Sequence, residues 1–276
     1  MVSKMKKNIK ISVITPAYNA GKFIAEAIES ILNQSFRDFE FIIIDDCSKD
    51  NTAKIIMDYQ KKDHRIKYYK NSKNLGIAGN RNKGISLATG KYVVWQDADD
   101  ISLPDRLKRQ YEFMENHPEV GICGGYLQFF DENGDKGIRK YATQDAELRK
   151  NIFRFSPVAQ PAAIIRRECF KKIGEYDLQW PPAEDLDMSF RVGSKYQFAN
   201  IPKVIIQYRE HQNSATFKKL RTTETNTIQI RRKYSRGWNY NITFIDIIYN
   251  LMQYVSVFII PPKIKIKIFN FFRNSK

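Results

Sequence analysis

Five carboxylates fall in two short acidic runs, and each run closes an apolar stretch. Asp45 and Asp46 follow residues 39–44, and Asp97, Asp99 and Asp100 follow residues 92–95. Like charges about 4 Å apart repel by about 1 kcal/mol in water and several-fold more in a partly buried cleft. A counter-charge is therefore expected, and a hard divalent cation with oxygen ligands supplies one. Such a cation takes one or two carboxylates and completes its shell with phosphate oxygens and water. The chemistry indicated is the holding of a substrate phosphate through such a cation. The structural alternative is that aspartate after a strand is a turn former or a helix N-cap, and for Asp45-Asp46 alone that alternative stands level.

The elements that must position these residues alternate. Residues 9–15 are a β-branched run ending at Pro16, and 22–34 carry apolar pairs at four-residue steps, an amphipathic helix. Residues 39–44 read as a buried strand, and a helix with N-cap candidates at 48–52 runs to about residue 60. A strand over 65–70, a helix over 77–88 and a strand over 92–95 complete the rhythm. This βαβαβαβ order predicts a mostly parallel sheet with helices on both faces. Ligands of such sheets bind outside the carboxyl ends of the strands, so Pro16, Asp45-Asp46 and the Asp97–Asp100 run are expected to converge on one crevice. Beyond Pro104 come a helix to about 116, a strand over 120–130 and a turn at 131–135. Shorter elements follow: helix 145–152, strand 162–165, helix 184–193, strands 196–201 and 203–209, and helix 217–234.

Composition narrows the classes. The net charge is +16, but residues 1–10 carry four lysines and no acid, residues 217–236 seven Lys/Arg against Glu224, and residues 261–276 five and no acid. The body between is nearly neutral. A nucleic-acid binder carries its basic residues along a reading helix or groove; no such motif is present, so no nucleic-acid partner is expected. Three scattered cysteines form no CxxC pair and read as reduced thiols. The apolar run after the basic start is only strand length, which does not read as a signal peptide.

The motifs Ile14-Thr15-Pro16-Ala17-Tyr18-Asn19, Ile44-Asp45-Asp46-Cys47-Ser48-Lys49-Asp50-Asn51-Thr52 and Gln96-Asp97-Ala98-Asp99-Asp100 resemble the donor-side signatures of family 2 glycosyltransferases with the GT-A fold. The stretch 74–84 resembles the N-x-G-x-x-x-A-R-N-x-G segment of that family, with Asn80 where alanine is usual. The resemblance extends to about residue 215. It implies a GT-A α/β fold, a nucleotide-diphosphate sugar as donor and Mn2+ or Mg2+ as cofactor. Asp46 would meet the nucleobase edge, which favours UDP and leaves dTDP open; Pro16 and Tyr18 would shape the base pocket. Asp97-Ala98-Asp99 would be the DxD motif, with Asp99 on the metal and Asp97 nearer the ribose or sugar. Arg81 would sit near the nucleotide, its alternative being a surface arginine. Asp100 is given no role beyond a cap.

Glu184-Asp185 matches the ED motif of the same family, which makes Asp185 the base for the acceptor hydroxyl and implies inversion by direct displacement; the alternative is an acidic first turn complementing a helix dipole. Trp180 and Glu184 are assigned to the acceptor side, Trp180 either stacking on a sugar or anchoring a loop. Tyr208-Arg209-Glu210-His211-Gln212-Asn213-Ser214 resembles the closing Y-R-x-H-x-x-S segment, where His211 either reaches the metal or is structural. A Q-x-x-R-W motif and transmembrane helices, the marks of a processive synthase, are absent, so one sugar or a few per encounter is expected. A sugar-nucleotide pyrophosphorylase would need a Gly-rich basic loop after the first strand, and a dinucleotide-dependent oxidoreductase a G-x-G-x-x-G. A non-catalytic glycan- or membrane-binding relative would show no metal dependence.

The expected organisation is a catalytic domain over 1–215, with a donor half at 1–103 and an acceptor half at 104–215, and a basic helical extension over 216–276. In residues 242–260, Thr243, Asp246, Asn250 and Gln253 form one polar stripe opposite an apolar face. A central Asp disfavours a spanning helix by about 2.5–3.5 kcal/mol, and a helix lying in the interface avoids that cost. With the lysines of 263–267 beside it, this predicts attachment to an anionic membrane at its cytoplasmic face. The alternative is a helix packed on the catalytic domain or in a homodimer seam. The resemblance implies an acceptor that is a bacterial surface glycan or a polyprenyl-linked oligosaccharide.

Overall fold

The computed structural model describes residues 9–211, 219–237, 240–261, 264–266, 268 and 274–275. The basic residues 1–8, residues 212–214 of the closing segment, and Lys263 and Lys267 lie outside the described residues.

Strand β1 (Ile11–Ala17) leads into helix α1 (Ile24–Leu32), β2 (Phe39–Asp45), α2 (Thr52–Lys62), β3 (Ile66–Lys70), α3 (Gly76–Leu87) and β4 (Tyr92–Trp95). These four strands are parallel in the order β3-β2-β1-β4. Every residue of β2 is buried, as expected for a parallel strand covered on both faces. The period-2 alternation divides the strands between two cores. Ile14, Ile42, Ile44, Val93 and Trp95 face α3 and the later helices, while Val13, Phe41, Ile43 and Val94 face α1 and α2. Gly84 lets α3 lie close on the sheet, since a Cβ there would stand 2.4 Å from Ile14 Cγ2. Chain order reverses between β1 and β4, a switch point whose carboxyl ends open a crevice.

The sheet then changes character. After the two-residue β5 (Ile101–Ser102) and α4 (Arg106–Asn116), the long β6 (Val120–Asp131) turns back as β7 (Gly134–Arg139), which is necessarily antiparallel across so tight a turn. Helix α5 (Asp145–Asn151) and a short 3-10 turn (Gln160–Ala162) lead to β8 (Ile164–Arg166), which joins β4 to β6 antiparallel to both. Helix α6 (Arg167–Ile173), α7 (Glu184–Gly193) and β9 (Gln197–Arg209) follow. Strand β9 runs parallel to β6 with register shifts near Gly125 and Tyr126, so the two strands expected at 196–201 and 203–209 are one irregular strand. The parallel arrangement thus holds among β1 to β4, and the strands added after residue 103 make the rest of the sheet mixed. Residues Asn274–Ser275 form β10 on the edge of β7.

Helices α8 (Leu220–Tyr234) and α9 (Phe244–Ile259) close the chain. Ile230, Tyr234 and Tyr240 lie in the same core as Phe190 and Val192, so the C-terminal segment is built onto the core that α7 enters. The polar stripe of α9 faces inward. Thr243 and Asp246 form a capping box, Asp246 meets Arg154 Nε at 2.7 Å, and Arg231 donates to Asn250 (3.1 Å) and Gln253 (2.8 Å). The apolar face of α9 points outward. No helix among the described residues is long and apolar enough to cross a membrane.

Candidate active site

The ends of β1 and β2 are stitched together by short polar side chains. Asn19, in the left-handed region at φ 48°, donates its N–H to Ser48 Oγ (2.9 Å) and accepts from Lys49 N (2.8 Å). Asp50 accepts from Gly21 N and Thr52 N. Asp45 is 0% exposed and accepts from Ser48 N (2.9 Å) and Tyr68 Oη (3.1 Å). Asp46, 1% exposed, accepts from Asn71 Nδ2 (2.8 Å), Leu75 N (2.8 Å) and Gly76 N (2.9 Å). Asp46 therefore fixes the turn that starts α3, where Gly76 adopts φ 72°. Beside this anchored floor lie Pro16, next to last in β1, and the half-exposed Tyr18 just beyond the strand.

The end of β4 is organised differently. Gln96 donates to the carbonyls of Asp97 (3.0 Å) and Asp100 (2.7 Å), curling the acidic run. Behind it Arg106 is fully buried and donates to the carbonyls of Trp95 and Pro161 and to Ser102 Oγ. Burial lowers the Arg106 guanidinium to about 9, against the pull of Asp100 and Asp97. Asp100 is buried and accepts from Arg209 N (2.9 Å), while Arg209 Nε donates to the Asp99 carbonyl (2.9 Å). Burial, then the neighbouring Asp99 and Asp97, push the Asp100 carboxyl well above its ordinary value. Asp100 thus ties the run to the end of β9.

Two carboxylates of the run remain for ligands. The Asp97 and Asp99 side chains are 29% and 31% exposed. Asp99 Oδ2 stands 2.8 Å from His211 Nε2, whose ring packs against Phe23. Asp97 lies 4.0 Å from Arg81 Nη2. Its carboxyl is raised to about 6 by burial, with Asp99 and Asp185 adding and Arg81 and Arg106 opposing. Arg81 itself is buried against Trp95 and Tyr176 and donates to Glu184 Oε1 at 2.5 Å. Glu184 and Asp185 open α7. Burial raises the Asp185 carboxyl, and Arg81 offsets part of that rise. Arg81 is in this way the charge between the acidic run and the first turn of α7. Trp180 precedes that turn, held by Asp177 Oδ2 on its indole N–H (3.0 Å) and covered by Lys233 at 5.5 Å.

The counter-charge expected for the five carboxylates is supplied in part by the protein's own arginines. Asp45, Asp46 and Asp100 are turned to backbone N–H and side-chain partners, and Arg81, Arg106 and Arg209 already bring positive charge to the run. Among the described residues no group of three or more His, Cys, Asp or Glu is placed to hold a metal ion. The open pair Asp99–His211 instead fits a cation that takes two protein ligands and completes its shell from a diphosphate and water. Sequence reasoning missed Arg106, Arg209 and Tyr176. Arg209 stood inside the 208–214 segment beside His211, whereas no sequence signal marks Arg106 or Tyr176.

The family model described as Glycosyl transferase family 2 matches residues 12–174. An uncharacterized glycosyltransferase of Methanocaldococcus jannaschii is 32% identical over 270 residues, 95% of this chain and 92% of that protein. The structure of S. aureus TarS 1-349 in complex with UDP superposes with a TM-score of 0.63 at 21% identity, covering 90% of this chain and 71% of that chain. The mannosyltransferase PcManGT from Pyrobaculum calidifontis, in complex with GDP-Man and Mn2+, gives a TM-score of 0.65 at 18% identity, covering 90% and 69%.

Proposed function

The chain belongs to glycosyl transferase family 2 and has the GT-A fold, and from that premise we propose that it is an inverting, metal-dependent transferase of a sugar from a nucleoside diphosphate to a glycan hydroxyl. The observation that carries this reading is the contact chain Asp97–Arg81–Glu184, with Asp185 beside it. In this reading Asp185, beside Arg81, supplies the base, and the Asp99–His211 pair supplies the metal ligands.

The roles follow from the chemistry of each group. Pro16, Tyr18 and the floor fixed by Asp46 bound the base pocket. With Asp46 held by Asn71, Leu75 and Gly76, its expected contact with the nucleobase edge is dropped from this reading, and a UDP sugar is favoured by the likeness to the UDP complex of TarS. Asp99 and His211 would hold a divalent cation, which supplies Lewis-acid neutralisation of the diphosphate. Asp97 faces the donor ribose or sugar, and Arg81 stands between donor and α7. The Asp185 carboxylate takes the proton of the acceptor hydroxyl as that oxygen attacks the anomeric carbon. The bond from that carbon to the diphosphate oxygen breaks on the opposite face, and the nucleoside diphosphate leaves with the electron pair. Inversion follows from the single displacement. Glu184 keeps Arg81 in place and Trp180 closes the acceptor side. The acceptor in this reading is a surface glycan growing on a lipid carrier at the cytoplasmic face of the plasma membrane. Residues 1–103 serve the donor, 104–215 the acceptor, and 216–276 the attachment.

The test is nucleotide release from a panel of UDP, dTDP and GDP sugars, with Mn2+ or Mg2+ and membranes present. Release that needs the metal, and that Asp185→Asn abolishes while donor binding persists, is the expected result. No release from any donor would sink the catalytic reading in favour of a non-catalytic relative. An active Asp185→Asn would remove Asp185 from the role of base.

A further inference from the structure

Helix α9 is inside out. Its buried residues are Asp246 and Val257, and its polar stripe is consumed by Arg154, Arg231 and the Phe153 carbonyl, which accepts from Asn250 at 2.9 Å. Phe244, Ile247, Leu251, Met252, Phe258 and Ile259 are each more than half exposed. At 100° per residue these side chains and their apolar neighbours cover about half of the helix circumference. The helix cannot roll this face inward without uncovering the buried Asp246 carboxylate and the buried Arg231 guanidinium, a costly exchange for both. A contiguous apolar face of this kind on a monomer marks an interaction surface.

Charge selects the occupant. Residues 217–276 hold twelve Lys/Arg against Glu224 and Asp246; of those described, Arg231 is buried and Lys233 and Lys265 are paired with Asp187 and Glu224, while Lys219, Arg221, Arg232 and Arg236 are exposed. A second copy meeting this face across a two-fold axis would bring the same cationic segment against itself. An anionic leaflet meets it with the opposite sign and takes up the apolar side chains as well. We propose that the outward face of α9 docks the protein flat on an anionic membrane surface.

The same packing carries the docking plane to the active site. Helix α9 packs on α8, and Asn226 of α8 donates to the carbonyls of Trp180 (3.2 Å) and Pro181 (3.0 Å). Lys233 and Tyr234 of α8 both donate to the buried Asp187, two residues beyond Asp185. The acceptor wall is therefore held at a fixed position relative to the docked face. This part deepens the proposed reaction, and rests on it, by making the acceptor membrane-borne.

The full chain is incubated with vesicles of phosphatidylglycerol and phosphatidylcholine, or of phosphatidylcholine alone, and sedimented. Binding to the anionic vesicles that weakens with salt is expected. The triple variant Ile247→Glu/Leu251→Glu/Phe258→Glu, all at exposed positions, is expected to bind at least tenfold more weakly with an unchanged melting temperature. If the wild type does not bind anionic vesicles, or the variant binds as well, the proposal is overturned. A dimer that the variant dissociates, without vesicle binding, would assign the face to a second copy and also overturns it. Nucleotide release from soluble donor separates the two readings. Vesicle binding without release keeps the surface and loses the reaction; release without vesicle binding does the reverse.

Discussion

The carboxyl ends of β2 and β4 flank that of β1 in one parallel sheet, and both carry adjacent aspartates, yet the two ends are spent in opposite ways. At β2, Asp45 and Asp46 are saturated by local donors and have almost no exposure. At β4, Gln96, Arg106 and Arg209 bind the carbonyls and Asp100, which leaves Asp97 and Asp99 facing the crevice. The difference lies in what supports each run. Backbone N–H groups of Leu75 and Gly76 reach Asp46 and that of Ser48 reaches Asp45, whereas long cationic side chains hold the β4 run from behind. Identical residues at equivalent strand ends therefore divide between buried, fully partnered carboxylates and part-exposed ones that the proposed reaction uses.

The sharpest way to break that division is to remove a carboxylate from each end. Asp99→Asn should lower metal-dependent nucleotide release by about a thousandfold, equivalent to about 4 kcal/mol of barrier. Its stability to denaturant should stay within about 0.5 kcal/mol of the wild type, because the side chain is part-exposed. Release that survives this change would place the cation elsewhere. Asp46→Ala should reverse the pattern: three N–H donors lose their acceptor, for a loss of about 2–4 kcal/mol in urea unfolding. A stable Asp46→Ala protein that fails only in donor binding would move Asp46 to the ligand side.

Proton linkage gives a smaller effect with a definite sign. The Asp97 carboxyl titrates near 6 in the folded protein, above its ordinary 3.8. Between about pH 4 and 6 the folded state keeps a proton that the unfolded state has lost, so the contribution of Asp97 to stability falls as pH rises through that window. A cation and a donor beside Asp97 favour its ionised form. Binding near pH 5.5 should therefore release up to about one proton, and binding at pH 8 none. Calorimetry in buffers of different ionisation enthalpy measures this directly. Asp97→Asn should abolish the release, and a release that persists would assign the proton to another group.

How far the sequence carries this comparison follows from what periodicity can encode. Up to residue 95 the strands are short apolar or alternating runs, α1 has a four-residue apolar repeat, and the elements from β1 to β4 lie close to where those patterns put them. The chain after residue 103 was less legible. Strand β5 exists only because two residues pair with β9, β7 carries the polar sequence GDKGIR, and α6 is only seven residues long. The irregular β9 read as two strands because Pro202 and Lys203 interrupt its pattern. Within the site, the motifs marked the aspartates but not their partners. Arg209 reaches Asp100 from 109 positions along the chain and Glu184 reaches Arg81 from 103, and no local pattern records such a meeting. The polar stripe of α9 was legible, but its direction was not, since it depended on Arg154 and Arg231 waiting in the fold.

The least disruptive change also bears on the β2 side. Tyr18 is 53% exposed, just beyond the end of β1, and no side-chain hydrogen bond holds its ring. Its backbone neighbours are fixed instead, through Asn19 and Ser48, so the loop keeps its shape whichever side chain stands at 18. If the ring stacks on a nucleobase, Tyr18→Ala removes about 0.5–1.5 kcal/mol of donor binding, a rise in donor KM of about two- to twelvefold with kcat little changed. Tyr18→Phe should restore the wild-type KM, because stacking needs the ring and not the hydroxyl. A Tyr18→Ala protein with unchanged KM for every donor would leave the base pocket to Pro16 and the loop backbone alone. A fall in kcat without a rise in KM would place the tyrosine nearer the reacting sugar, and the β2 side would then hold a group that acts as well as groups that build.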